Sequence, residues 1–103
     1  MVGAKRNSVG YCNAFISHCA NYYFQNENLV DLALLTQAQA NNYKCIAATL
    51  SHFDRLEVDM LRNIFTSGLP LSEAMSILHK NSESSWFVVR KFIKLAASYR
   101  GLI

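Results

Sequence analysis

Cysteines and histidines are the residues of this chain whose chemistry could hold a metal ion. Cys12 and Cys19 are seven residues apart, and so are Cys45 and His52. On a helix, this spacing separates two side chains by roughly 10 Å along the axis, which is too far for both to bind one zinc ion. The adjacent His18 and Cys19 point about 100° apart on a helix, and the chain has no Cys-x-x-Cys or His-x-x-x-His pair. We therefore expect no metal site and no cofactor.

Nucleophilic catalysis requires a nucleophile, a neighbouring base and a group that orients the base. The chain has three histidines and several serines, but no Gly-x-Ser-x-Gly sequence and no glycine-rich phosphate-binding loop. A cluster of acids, Asp54, Glu57 and Asp59, lies at a predicted helix start, where capping and the helix dipole explain it. We therefore expect no enzymatic activity and no catalytic residues.

The composition predicts a single helical domain. The 103 residues are 51% hydrophobic and 17% charged, which is typical of a globular chain, and they include only one proline and four glycines. A β-sandwich or barrel requires more turn signals. We predict one all-α domain over residues 1–103, a small bundle of four to five helices. Three cysteines without a secretory leader, and no apolar stretch long enough for a membrane span, favour a cytoplasmic protein.

The N-terminal half is predicted to contain an arm and two helices. Residues 1–10 form a flexible arm, and residues 11–53 form the two helices. Tyr11, Phe15, Cys19 and Tyr22 fall on one helical face, which predicts packing in the core or between two copies of the chain. The second helix is predicted over residues 29–51, with a break near residues 41–42. Its apolar stripe consists of Val30, Leu34, Ala38, Cys45 and Thr49.

Capping signals predict two shorter helices after residue 53. Asp54 and Glu57 have the spacing of a capping box, and the helix that they begin is expected to end at Gly68, a suitable left-handed residue. Ser72 is the expected N-cap of a short second helix, which ends near residues 79–81.

A third capping signal begins a basic last helix. Ser82 or Asn81 is the expected N-cap, and the helix runs to about Tyr99. Residues 81–103 carry a net charge of +3, from Arg90, Lys91, Lys94 and Arg100 against Glu83. An anionic partner is one explanation of this excess, and a solvated basic face is the other.

The order of elements in residues 54–103 is typical of a helix-turn-helix, whose second helix enters the major groove of DNA. The sequence Leu56-x-x-x-Met60-Leu61-x-x-Ile64-Phe65-x-x-Gly68 is followed by Leu71-Ser72-Glu73-Ala74-Met75-x-Ile77-Leu78 and by residues 82–90. This pattern resembles the fourth conserved region of bacterial sigma factors and small sigma-like phage regulators. The resemblance covers roughly the last fifty residues. It implies a C-terminal helix-turn-helix, regulation of transcription, binding to double-stranded DNA, and contact with RNA polymerase.

The resemblance also assigns roles to particular residues. It implies that the last helix faces the DNA groove with Ser84, Ser85, Val88 and Lys91. It assigns phosphate contacts on the last helix to Arg90, Lys91 and Lys94. It also assigns a phosphate contact to Ser72 on the short helix, and it places Lys80 on the turn. One copy supplies few phosphate contacts, so we expect a homodimer that pairs through residues 11–53.

Two features of the last helix keep a second function open. The helix is apolar around much of its circumference, which favours burial in the core or in an interface. His79-Lys80-Asn81 also stands where the turn of a helix-turn-helix usually carries a glycine. The alternative is a non-enzymatic helical interaction protein that docks on a larger protein, such as an inhibitor, an antirepressor or an immunity-type protein.

Overall fold

The computed structural model describes residues 8–27 and 31–103. It contains α1 (Val9–Gln25), a 3-10 turn (Leu32–Leu34), α2 (Gln37–Leu50), α3 (Arg55–Phe65), α4 (Leu71–His79) and α5 (Glu83–Tyr99). The described residues form no strand, so the all-α prediction is confirmed. None of the helices in this part of the chain has the length and hydropathy needed to cross a membrane.

The first and last helices each pack against three other helices. α1 packs against α2, α3 and α5, α5 packs against α1, α2 and α4, and α3 also packs against α4. On α5, Phe92 is fully buried, with its ring centroid 6.0 Å from that of Phe53 and 5.5 Å from that of Phe65. The segment before α3 and the C-terminal end of α3 therefore meet on one side chain of α5.

The first helix begins earlier than the sequence predicts, and it buries a different face. Of the predicted arm, residues 1–7 lie outside the described residues, while Ser8 caps α1 by accepting a hydrogen bond from the Tyr11 amide at 3.1 Å. Tyr11, which was expected to pack in the core or between two copies of the chain, is 49% exposed and stacks on the half-buried ring of Phe15. The residues of α1 that are buried are Cys12, Ile16, Cys19, Ala20 and Phe24. Small side chains such as Cys12 and Ala20 on this buried face let the neighbouring helices approach closely.

The second helix begins eight residues later than predicted. Thr36 is its N-cap, and Gln39 completes a capping box. The side chains of Thr36 and Gln39 accept hydrogen bonds from each other's backbone amides, which would otherwise lack partners at a helix start. The helix can therefore begin at Gln37. Leu34 was placed in the apolar stripe but is 83% exposed in the 3-10 turn, and Val30 lies outside the described residues. α2 then continues to residue 50 without the break expected near residues 41–42.

The capping box of α3 is confirmed, but the end of this helix differs from the prediction. The Glu57 amide donates to Asp54 Oδ1 at 2.8 Å, and the Asp54 amide donates to Glu57 Oε1 at 3.0 Å. The helix ends at Phe65 with Thr66 as the C-cap, so Gly68 lies two residues beyond the cap. Gly68 nevertheless has the expected left-handed conformation, with a φ of 79°.

The N-cap predicted for α4 is wrong, and the N-cap predicted for α5 is confirmed. Pro70, not Ser72, precedes α4, and it forms no side-chain capping bond. Proline suits the start of a helix because the amide that it lacks has no partner there. Ser82 caps α5, where its hydroxyl accepts from the Ser85 amide at 3.5 Å.

Arg62 on α3 ties the end of α1 to the rest of the bundle. Its Nε and Nη2 donate to the two carboxylate oxygens of Glu27, both at 3.0 Å, and its Nη1 donates to Asp59. The guanidinium also lies 5.5 Å from the ring centroid of Phe24. The hydrogen bonds with Glu27 raise the pKa of Arg62 above its usual value. Two carboxylates therefore already neutralise this cation.

The turn between α4 and α5 is built from two left-handed residues that are not glycine. Lys80 has a φ of 50° and Asn81 a φ of 55°. The Asn81 amide donates to the Met75 carbonyl at 3.0 Å, which closes the end of α4. The Asn81 side chain accepts from Trp86 Nε1 at 3.3 Å. A left-handed lysine costs roughly 1 kcal/mol because its Cβ crowds the backbone, so this turn holds local strain.

Replacing Lys80 with glycine should raise the free energy of unfolding. We expect a gain of about 0.5–1 kcal/mol, because glycine adopts the left-handed conformation without strain. Urea denaturation would measure the change. Lys80→Ala is the matched control: it removes the same charge but keeps Cβ, so it should leave stability nearly unchanged. Equal stabilisation by both variants would show that charge, not backbone strain, is responsible.

Candidate nucleic-acid interface on α5

The last helix has one buried face and one solvent face. The buried face carries Val89, Phe92, Ile93, Ala96 and Ala97. The solvent face carries exposed side chains from Glu83, Ser84, Phe87, Arg90, Lys91, Lys94 and Ser98. At about 100° per residue, these seven positions span roughly 120° of the helix surface. The helix is therefore both a core helix and a basic surface helix.

Aromatic rings hold two of the three cations on the solvent face. The Arg90 guanidinium lies 5.6 Å from the ring centroid of Trp86, four residues before it. The Lys91 ammonium lies 5.2 Å from the ring centroid of Phe53, at the end of the segment that joins α2 to α3. These cation–π contacts fix the two cations in place without neutralising them.

The cations of α5 have no carboxylate partner within the described residues. Both ion pairs in this part of the chain involve Arg62, which joins Glu27 and Asp59. Arg90, Lys91 and Lys94 are exposed, and Glu83 is the one acid on α5. An anion that approaches this face therefore meets three cations without displacing an internal acid.

Two of the predicted groove-facing residues are exposed, and the other two are half-buried. Ser84 and Lys91 are exposed, as the resemblance implies. Ser85 is half-buried, and its hydroxyl lies 3.4 Å from His79 Nδ1 at the end of α4. Val88 is also half-buried and packs against the core. The core contacts of α5 thus turn residues 85 and 88 partly away from the solvent face.

The two predicted residues outside α5 are both exposed. Lys80 lies in the strained turn, two residues before the N-cap of α5. Ser72 lies in the first turn of α4 and lines a groove that also includes Trp86. Lys80 therefore adds an exposed cation close to the start of α5.

Phe87 is a surface residue that the sequence interpretation assigned to the apolar part of the helix. Its side chain is 66% exposed. It lies three residues before Arg90, four before Lys91 and seven before Lys94, which are the spacings of one helical face. This spacing was the signal that could have placed Phe87 among the cations.

The thiols and imidazoles have structural contacts. Cys12, Cys19 and Cys45 are buried and unpaired, and Cys45 Sγ donates to the Ala96 carbonyl at 3.3 Å. Burial, with a smaller effect of Cys45, raises the pKa of Cys19 to about 11, and burial also raises the pKa of Cys45. These two thiols therefore stay protonated at neutral pH, and a protonated thiol is a poor nucleophile and metal ligand. Within residues 8–27 and 31–103, no group of three or more potential ligands is placed to hold a metal ion.

Comparisons of the chain with protein-family models, curated proteins and solved structures found no match.

Proposed function

We propose that the protein is a small DNA-binding regulator that contacts duplex DNA through the solvent face of α5. The observation that carries the proposal is the exposed row of Arg90, Lys91 and Lys94, which has no carboxylate partner within the described residues. Phosphate contacts from lysine and arginine supply most of the affinity of non-specific DNA binding.

The arrangement of α4 and α5 supports the proposal. A helix of 9 residues, α4, is joined by residues 80–82 to a helix of 17 residues, α5. In a helix-turn-helix, the N-terminal end of the second helix contacts the bases. Val89 is the first buried residue of α5, so the first six residues of the helix all retain exposed surface. This end of α5 can therefore enter a groove while the rest of the helix stays in the core.

The side chains at this end favour backbone contacts over base recognition. Ser84 can donate or accept a hydrogen bond at a base edge, and Phe87 can contact a thymine methyl group. Arg90 is the one side chain on the solvent face that could bind guanine through two hydrogen bonds. We therefore propose modest sequence preference and an affinity dominated by phosphates.

The proposal includes a homodimer, contact with RNA polymerase as a second partner, and a cytoplasmic location. One copy provides three cations on α5 and a fourth at Lys80. Two-fold pairing would double these contacts on a palindromic site. The exposed ring of Tyr11 on α1 is available for the pairing surface.

Salt dependence of duplex binding tests the proposal. We expect the affinity to fall with a log–log slope of about −3 per copy of the chain, since each phosphate contact contributes roughly 0.9. Lys91→Gln and Lys94→Gln should each reduce the size of the slope by about 1. Fluorescence anisotropy with a labelled random duplex would measure both slopes. No duplex binding at low salt would overturn the proposal.

Phe87 gives a specific reason to keep protein docking as a second candidate. An exposed phenylalanine among cations is suited to the apolar centre of a protein interface with a charged rim. Phe87→Ser separates the two functions when it is compared with Lys91→Gln. If DNA is the partner, Lys91→Gln should weaken binding more. If a protein is the partner, a complex isolated after nuclease treatment should depend mainly on Phe87.

A further inference from the structure

A groove between α1 and the second half of α5 lies beside the cations. Its volume is about 360 Å³. Cys12, Ile93 and Ala97, whose side chains are almost completely buried, form its floor, and the exposed side chains of Val9 and Ile103 also line it. An apolar ligand that covers Val9 and Ile103 gains free energy in proportion to the area that it removes from water.

Polar groups converge at one side of this groove. Arg90 and Lys94, one helical turn apart on α5, line it together with the half-buried amide of Asn13 on α1. Neither cation has a carboxylate partner among the described residues. The groove therefore combines an apolar floor with positive charge and a hydrogen-bonding amide at its edge.

We propose that this groove binds a medium-chain carboxylate. The alkyl chain lies over Ile93 and against Val9 and Ile103, and the carboxylate lies between Arg90 and Lys94. Small-molecule sites in proteins share this chemistry, since they are mostly apolar and carry a few polar groups that fix the orientation of the ligand. Charge-assisted hydrogen bonds to the carboxylate then distinguish the acid from a neutral molecule of the same shape.

Direct titration of the full-length protein with octanoate tests the proposal. We expect saturable shifts of the Ile93 methyl signals in NMR spectra, and nuclear Overhauser contacts between these methyls and the alkyl chain. Affinity should rise roughly two- to fourfold for each methylene from butyrate to octanoate, because each one buries additional apolar area. 1-Octanol should bind at least about tenfold more weakly, because it lacks the charge.

Three exposed cations of α5 provide the variants. Arg90→Gln and Lys94→Gln should each weaken octanoate binding about tenfold. Lys91→Gln is the matched control, because Lys91 lies on the same helix but outside the groove, over Phe53. It should change octanoate affinity by less than about twofold. Unchanged melting temperatures would confirm that each variant folds.

Three results would overturn the proposal. The first is the absence of saturable shifts at Ile93 over the millimolar range of octanoate. The second is equal binding of octanoate and 1-octanol, and the third is an equal loss of affinity in Lys91→Gln and Lys94→Gln. The titration contains no DNA, so it decides the ligand site alone, whereas the salt dependence of duplex binding decides the DNA interface alone.

A regulatory consequence rests on the proposed DNA-binding function. Arg90 and Lys94 cannot contact a carboxylate and a DNA phosphate equally well at the same time. Saturating octanoate should therefore weaken duplex binding by about threefold or more, because two ligands that share residues each lower the affinity of the protein for the other. Lys94→Gln, which removes the shared cation, should weaken duplex binding and also reduce the effect of octanoate.

Discussion

Charge reversal of Arg90, Lys91 and Lys94 to glutamate is expected to abolish duplex binding while the domain stays folded. Each reversal changes the net charge by two, so the net charge of +3 becomes −3. Three attractive phosphate contacts become repulsive ones, and at 50 mM salt we expect an affinity loss of at least about 100-fold. Anisotropy titration with the random duplex would measure the loss. All three side chains are exposed, so the melting temperature should change by only a few degrees.

Two double variants test whether duplex binding depends on where the charges lie or only on the net charge of the protein. Lys91→Glu with Lys94→Glu makes the same change in net charge as Lys44→Glu with Arg55→Glu. Lys44 and Arg55 are also exposed, but they lie on α2 and α3. The α5 pair should weaken duplex binding at least about tenfold more than the other pair. Equal losses from the two pairs would contradict an interface on α5.

Phe92→Ala is expected to lower the free energy of unfolding by about 3–5 kcal/mol. Phe92 is fully buried, and its ring contacts Phe53, which precedes α3, and Phe65, the last residue of α3. The truncation removes buried area and leaves a cavity where three segments meet. Small domains are stable by about 5–15 kcal/mol, so this single change would remove a large share of the stability. Urea denaturation followed by circular dichroism would measure it.

Phe87→Ala is the matched control for the core prediction. It is the same substitution on the same helix, at a side chain that is 66% exposed. We expect it to change the free energy of unfolding by no more than about 0.5 kcal/mol. Similar losses for Phe87→Ala and Phe92→Ala would show that α5 is rotated differently in the bundle.

The sequence correctly predicts those helix ends that are formed by hydrogen bonds between residues close together in the chain. The capping box of Asp54 and Glu57, and the cap at Ser82, involve hydrogen bonds over three residues, so the order of residues is sufficient to identify them. Thr36 and Gln39 form the same type of box. The prediction missed it because apolar residues from position 29 onwards extended the helical pattern. A pattern of apolar residues does not mark where a helix begins, whereas a cap does.

The rotation of each helix was harder to predict. The aromatic face through Tyr11 and the apolar run of α5 each contain more apolar residues than the core contacts can bury. The neighbouring helices decide which of these are covered, and they select Val88 over Phe87 on α5. The excess of cations on the last helix could be predicted because net charge is counted from the sequence, without knowledge of tertiary contacts. The exposure of Phe87 and the half-burial of Ser85 depend on packing, whereas the spacing that places Phe87 on the face of the cations can be read from the sequence.

The rings beneath Arg90 and Lys91 have a consequence for the kinetics and entropy of association. A long basic side chain on a surface usually samples many rotamers, and it loses about 0.5–1.5 kcal/mol of free energy when a partner immobilises it. Trp86 and Phe53 already restrict Arg90 and Lys91 in the unbound protein. Part of that entropy is lost during folding, so the encounter with a polyanion begins from side chains that are already oriented. Under the proposed function, such preorganisation would favour rapid, weakly selective capture of phosphates, and discrimination among DNA sequences would depend on the few contacts at the start of α5.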